Sequence, residues 1–138
     1  MRQRVKEIAY YAKPRKLIMT IAEFANRYNL HDSYIEAVKY DPESRSVVLT
    51  IQFLFWMQND YVEGSPETGL LYVTFHNASR YSCENENPAD PFSGILTAEC
   101  KNGDLILKLM NDKTGRYFEV VISAEDVTLE KGDDDSDR

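Results

Sequence analysis

With 138 residues, 43% of them hydrophobic and 12% aromatic, the chain is long enough to bury one core without cross-links and offers no sign of a second domain. Sixteen Lys and Arg against 23 Asp and Glu leave a formal charge of −7, and an acidic body repels nucleic-acid phosphates, so nucleic acid is set aside as a partner. No apolar run approaches the roughly 18 residues of a membrane span, and Lys13-Pro-Arg-Lys16 breaks any run that could form a secretory signal core, so a cytoplasmic protein is expected.

The charge is uneven. Residues 1–16 carry six basic groups against Glu7 (+5), residues 17–130 carry eight basic and eighteen acidic groups (−10), and residues 131–138 add two and four (−2), which sum to −7. Residues 1–16 read as a basic arm or short amphipathic helix ended at Pro14. Thr20-Ile-Ala-Glu23 is a capping-box signal, and Ile21, Phe24, Ala25 and Tyr28 then share one helical face, with Asn29 as the stop. This helix resembles the first helix of a helix-turn-helix, but no basic recognition helix follows, which argues against DNA binding.

Ser33 to Tyr40 reads as a first strand, with Tyr34, Glu36, Val38 and Tyr40 on one face and Ile35, Ala37 and Lys39 on the other. Asp41-Pro-Glu-Ser-Arg45 is turn chemistry. Val47 to Trp56 is the densest β signal in the chain: Val47, Leu49, Ile51, Phe53 and Phe55 are all apolar, so that face lies on the core. After a polar loop, Leu70 to Phe75 makes a third strand. Asn77 to Pro91 reads as one long loop. Gly94 to Cys100 and Asp104 to Met110 form a hairpin across Asn102-Gly103, Tyr117 to Ile122 is a further strand, and Ala124 to Leu129 is a last strand or cover. The acidic tail from Lys131 is expected to be disordered. No internal repeat is visible. These elements predict a single α+β domain over residues 1–130: a mainly antiparallel curled sheet or partly open barrel of six or seven strands, with one N-terminal helix packed on it.

Catalytic patterns are sparse. His31-Asp32 could ligate a metal or relay protons, but with His76 the only other histidine, a histidine-rich site is excluded, and the pair reads better as a hinge from helix to sheet. Cys83 and Cys100 lack the C-x-x-C spacing of a zinc site and are too few for a disulfide framework, so both are expected as reduced thiols. Acids flank Cys83, which quietens it as a nucleophile. No phosphate-binding glycine loop or nucleophile elbow occurs, and no catalytic residue, metal site or cofactor is assigned.

The pattern that stands out is aromatic and acidic. Trp56, Asp60, Tyr61 and Glu63, together with Tyr81, Glu84 and Glu86, combine rigid interface anchors with charge that steers a basic partner, and they form the candidate partner interface.

Leu30-His-Asp-Ser-Tyr-Ile35, followed by Tyr40-Asp41, a strand ending at Trp56, and Phe75-His-Asn77, is similar to the opening of small uncharacterised bacterial domains. Some of these resemble immunity proteins encoded beside polymorphic toxins. The resemblance spans about residues 20–129 and implies a fold more than an activity; with the −10 body and the sparse catalytic patterns, it points to a non-catalytic module that blocks a basic toxin stoichiometrically. It supplies no catalytic residues. Two other readings stand beside it: a small-ligand binder or enzyme with a cleft near Trp56, His31 and His76, and a structural module that forms a homodimer or larger homo-oligomer.

Overall fold

A computed structural model describes residues 17–84 and 86–132. The expectations for the basic arm (1–16) and for the tail from Asp133 lie outside those residues. A short strand, β1 (Leu17–Met19), leads at once into the helix α1 (Ile21–Arg27). The capping box forms: the Thr20 amide donates to Glu23 Oε1 at 2.8 Å and the Glu23 amide to Thr20 Oγ1 at 3.0 Å. The helix stops at Tyr28 rather than Asn29, with the Tyr28 amide still donating to the Phe24 carbonyl. Ile21 and Phe24 are buried, and the Phe24 ring meets Phe75 edge-on with centroids 6.1 Å apart.

The remaining strands are β2 (Tyr34–Asp41), β3 (Ser46–Leu54), β4 (Thr68–His76), β5 (Arg80–Ser82), β6 (Ser93–Lys101), β7 (Asp104–Asn111), β8 (Tyr117–Ser123) and β9 (Asp126–Lys131). A single 3-10 turn, η1 (Phe55–Met57), follows β3. The α+β expectation holds: one helix lies against an antiparallel sheet. The strand count is corrected, because the described residues form nine strands in one open sheet, ordered β1-β9-β4-β3-β2-β6-β7-β8-β5, rather than six or seven or a partly open barrel. The two extra strands have three residues each, too few to show alternation, and β5 sits inside the polar stretch that reads as a loop. The last strand also runs two residues further than expected and takes in Lys131.

The sheet consists of two wings with the same pairing plan. In one, Ile35 of β2 pairs with Ile51 of β3, which pairs with Leu71 of β4; in the other, Ile95 of β6 pairs with Leu109 of β7, which pairs with Phe118 of β8. The first strand of each wing carries a bulge one residue on, between Ile35 and Ala37 and between Ile95 and Thr97. Each third strand then hands its successor to the other wing: β4 leads to β5, which pairs with β8, and β8 leads to β9, which pairs with β4. The crossings brace each other, the Ser79 amide donating to the Ser123 carbonyl at 2.8 Å and the Glu125 amide to the His76 carbonyl at 2.9 Å. The repeat lies in the pairing plan rather than in residue identity.

The wings meet at one bridge, Tyr34 opposite Gly94. The Asp32 amide donates to the Ile95 carbonyl at 2.8 Å and the Ile95 amide to the Ser33 carbonyl at 2.9 Å on either side of it. α1 packs against β6, β7 and β9, so both wings fold around it and share one core. Val47, Leu49, Ile51 and Phe53 are buried as their alternation demands. The bulge in β2 revises the face assignment there: Ile35 is buried, and after the extra residue Glu36 it is Val38 and Tyr40, opposite Leu49 and Val47, that share its face, Val38 partly buried and Tyr40 still 44% exposed. Among the described residues, no helix is long and apolar enough to cross a membrane.

Both cysteines are free thiols. Burial, and secondarily the Glu86 carboxylate, pushes the Cys83 thiol up; burial, and secondarily Cys83, pushes the Tyr81 phenol up. A group whose folded pKa is raised stabilises the fold below its unfolded value and loses that contribution as pH climbs through the folded one. The urea midpoint should therefore fall as pH rises from about 8 to about 11, and Cys83→Ala should make that fall shallower. An identical slope in Cys83→Ala would contradict the assignment.

Candidate functional site

Phe55 to Glu67 joins β3 to β4 and carries Trp56, Asp60, Tyr61 and Glu63 from the sequence-derived interface. It is braced at its ends and along its length. The Trp56 amide donates to the Glu67 carbonyl at 3.1 Å, extending the β3–β4 ladder past the strand ends. Inside, Tyr61 Oη donates to the Ser65 carbonyl at 2.8 Å, and the Ser65 amide donates to the Val62 carbonyl at 3.0 Å. The phenol of Tyr61 thus holds the loop's shape.

Gln58 fastens the loop to the helix exit. Its Oε1 accepts from the Asn29 amide, and its Nε2 donates to the carbonyls of Asn29 and Leu54, each at 2.9 Å. Phe55 turns inward against Phe53, with ring centroids 5.1 Å apart, and Lys131 Nζ stands 4.9 Å from the Phe55 centroid. Gly69 makes room for that ring, since a Cβ there would lie 2.9 Å from Phe55 Cε2. With Phe55 pinned inward, Trp56 is left 52% exposed and Val62 66% exposed on a segment whose charges are Asp60, Glu63 and Glu67, with no basic residue among them.

The other half of the sequence-derived set lies elsewhere. Tyr81 sits on β5 and packs against Tyr40, with ring centroids 5.9 Å apart. Tyr40 pairs with Val47, at the far end of β3 from Phe55; seven strand steps of about 3.3 Å separate the two ends by roughly 23 Å. Glu84 is exposed beside β5, whereas Glu86 is mostly covered and 3.8 Å from Arg116 Nε. The structure therefore gathers Trp56, Asp60, Tyr61 and Glu63 on one loop and places Tyr81, Glu84 and Glu86 at a second, separate surface.

The histidines also part company. His31 Nδ1 lies 2.9 Å from the Leu96 carbonyl; a carbonyl only accepts, so Nδ1 carries the proton and donates. Its Nε2 is 3.5 Å from Asp32 Oδ1. With the Asp32 amide on Ile95, the His31-Asp32 pair ties the helix exit to β6 and serves as the hinge its sequence suggested. His31 lines a cleft of about 370 Å³ between the end of α1, the residues after Trp56 and β6. Arg27 and Tyr28 are the other ionisable side chains among the described residues lining it. His76 lies five strand steps beyond Leu71, roughly 17 Å along β4, with Nε2 2.8 Å from Thr128 Oγ1. No group of three or more His, Cys, Asp or Glu among the described residues could hold a metal ion.

The sequence reading missed Tyr34 and Glu36 as surface residues of interest; Asp32, read there as part of the hinge, lies beside them. All three flank an open groove on the outer face of β2, where Glu36 shares the face of Tyr34 and the bulge begins. Three comparisons, with protein-family models, curated proteins and solved structures, find nothing that matches the chain.

The Gln58 clamp gives a direct check on the loop. Gln58→Ala removes three hydrogen bonds at about 1 kcal/mol each at most, so a loss of about 2 kcal/mol in urea unfolding is expected. A change within about 0.5 kcal/mol would show that the clamp does not brace the loop.

Proposed function

We propose that this chain is a non-catalytic protein-binding module that docks the Trp56 loop against a basic partner and blocks it stoichiometrically, as an immunity protein blocks its toxin. The observation that carries this reading is a half-exposed tryptophan on a braced loop whose charges are all acidic. An exposed indole is a large rigid anchor whose burial in a partner's pocket is strongly favourable, and its preorganisation keeps the ordering cost of association low. Asp60, Glu63 and Glu67 around it raise the rate of encounter with a positively charged surface and discriminate against acidic partners. The −10 carried by residues 17–130 acts in the same direction at longer range. The resemblance of Leu30 to Ile35 to small bacterial domains, some of them similar to immunity proteins, favours a toxin as that partner.

Co-expression with the product of the neighbouring toxin gene tests the reading. A one-to-one complex and protected cells are expected; unprotected cells and no complex contradict it. Within such a complex, Trp56→Ala should raise the dissociation constant about thirtyfold, the size of an interface hot spot of about 2 kcal/mol. It should leave urea stability within about 0.5 kcal/mol, because the indole contributes little to the core.

A further inference from the structure

The outer face of the seam between the wings carries a groove of about 560 Å³ that neither the charge pattern nor the resemblance indicated. Its floor and walls are Tyr34, Leu54, Ala89 and Pro91, with the carboxylates of Asp32 and Glu36 among its lining and no basic side chain among the described residues that form it. We infer that this groove is an arginine-binding subsite of the partner interface, taking a guanidinium between the Tyr34 ring and the Glu36 carboxylate. The inference rests on the protein-binding reading and names the partner chemistry that the surface selects.

Tyr34 is fixed by the seam. Its ring lies over Gly94, whose absent Cβ would stand 3.5 Å from Tyr34 Cε2 and Cζ, and the residue remains 37% exposed. A bare glycine under an aromatic ring leaves one π face packed and the other available for stacking. Glu36 is the extra residue of the β2 bulge and shares the exposed face of β2 with Tyr34. Gln52 Nε2 donates to Glu36 Oε2 at 2.6 Å, which orients the carboxylate and leaves Oε1 to accept from a ligand. Asp32 is locked at φ 67°, with its amide on the Ile95 carbonyl.

An oriented carboxylate beside a packed aromatic face suits a planar fork of N–H donors that can stack and donate together, and it suits a compact ammonium less well. The same chain already places cations over rings elsewhere: Lys113 Nζ lies 5.2 Å from the Phe92 centroid, next to Pro91, and Lys131 covers Phe55. The groove is also continuous with the Trp56 loop, since Leu54 pairs with Thr68 and the next ladder bond joins Trp56 to Glu67. A basic partner seated on Trp56 would therefore reach the groove with a neighbouring side chain.

The test uses the full chain and two blocked peptides, hexa-arginine and hexa-lysine, titrated calorimetrically at the same ionic strength. The arginine peptide should bind about fivefold tighter than the lysine peptide. Glu36→Gln and Tyr34→Ala should each weaken the arginine peptide about tenfold, while Tyr34→Phe, which keeps the ring and the seam packing, should retain it. Glu99→Gln, which removes the same charge from an exposed position on β6, should leave both peptides unchanged. Equal affinity for the two peptides, or an equal loss in Glu36→Gln and Glu99→Gln, would show diffuse electrostatic attraction and overturn the subsite. A toxin complex that depends on Trp56 but ignores Glu36 would overturn the subsite alone. Arginine selectivity without any toxin complex would keep the subsite and remove the toxin reading.

Discussion

The structure depends on a short seam. Two wings of antiparallel strands, each stable enough to pair internally, become one sheet only through the Tyr34–Gly94 bridge and the two amide bonds beside it, Asp32 to Ile95 and Ile95 to Ser33. Ser33 and Ser93 lie fully buried on either side, in equivalent places in their wings, and Ile35 and Ile95 drive into the core next to them. The crossed successors β5 and β9 lock the wings at their outer strands, so neither wing can leave without exposing an edge of the other. Burial of Phe24 among both wings completes the arrangement: the helix fills the space that the curvature of the sheet creates.

The candidate surfaces follow from this frame. β3 ends and β4 begins near the seam, where Gln58 fastens the loop that joins them to the helix exit, and His31 ties that exit to Leu96 of β6. The long, acidic Phe55–Glu67 loop has a short, basic counterpart in the other wing, where Asp112 to Arg116 joins β7 to β8 with Lys113 and Arg116. The two wings share a pairing plan but have diverged in charge at the loops that flank the seam. The proposed docking surface lies on the wing whose loop is long enough to project a tryptophan.

Much of the fold was legible because burial imposes a period. Val47 to Phe53 alternates so cleanly that its inward face could be read directly, and Thr20 with Glu23 announced the helix start. Three-residue strands cannot carry a period, so β1 and β5 stayed hidden. The bulges were also illegible, since one extra residue shifts every later side chain to the opposite face without leaving any compositional mark; this is why Val38 and Tyr40 share a face with Ile35. The shared pairing plan escaped for a related reason, because Ile35 and Ile95 match but Leu71 answers to Phe118, and only the requirement for an apolar residue is shared. On the surface, Trp56 was found through residue type. Tyr34 and Glu36 were not, because the groove beside them needs a glycine sixty residues on and Ala89 and Pro91 from a distant stretch of chain.

The central claim is that the seam is rigid and holds the Trp56 loop and the Tyr34 groove in fixed relation. Native-state hydrogen exchange at the amides of Asp32 and Ile95 measures this most directly. The account predicts that both exchange only through global unfolding, with the same free energy as the slowest core amides of β3 and β7. Exchange of these two amides at a distinctly lower free energy, while β3 and β7 stay protected, would show the wings parting in the native state and would contradict it.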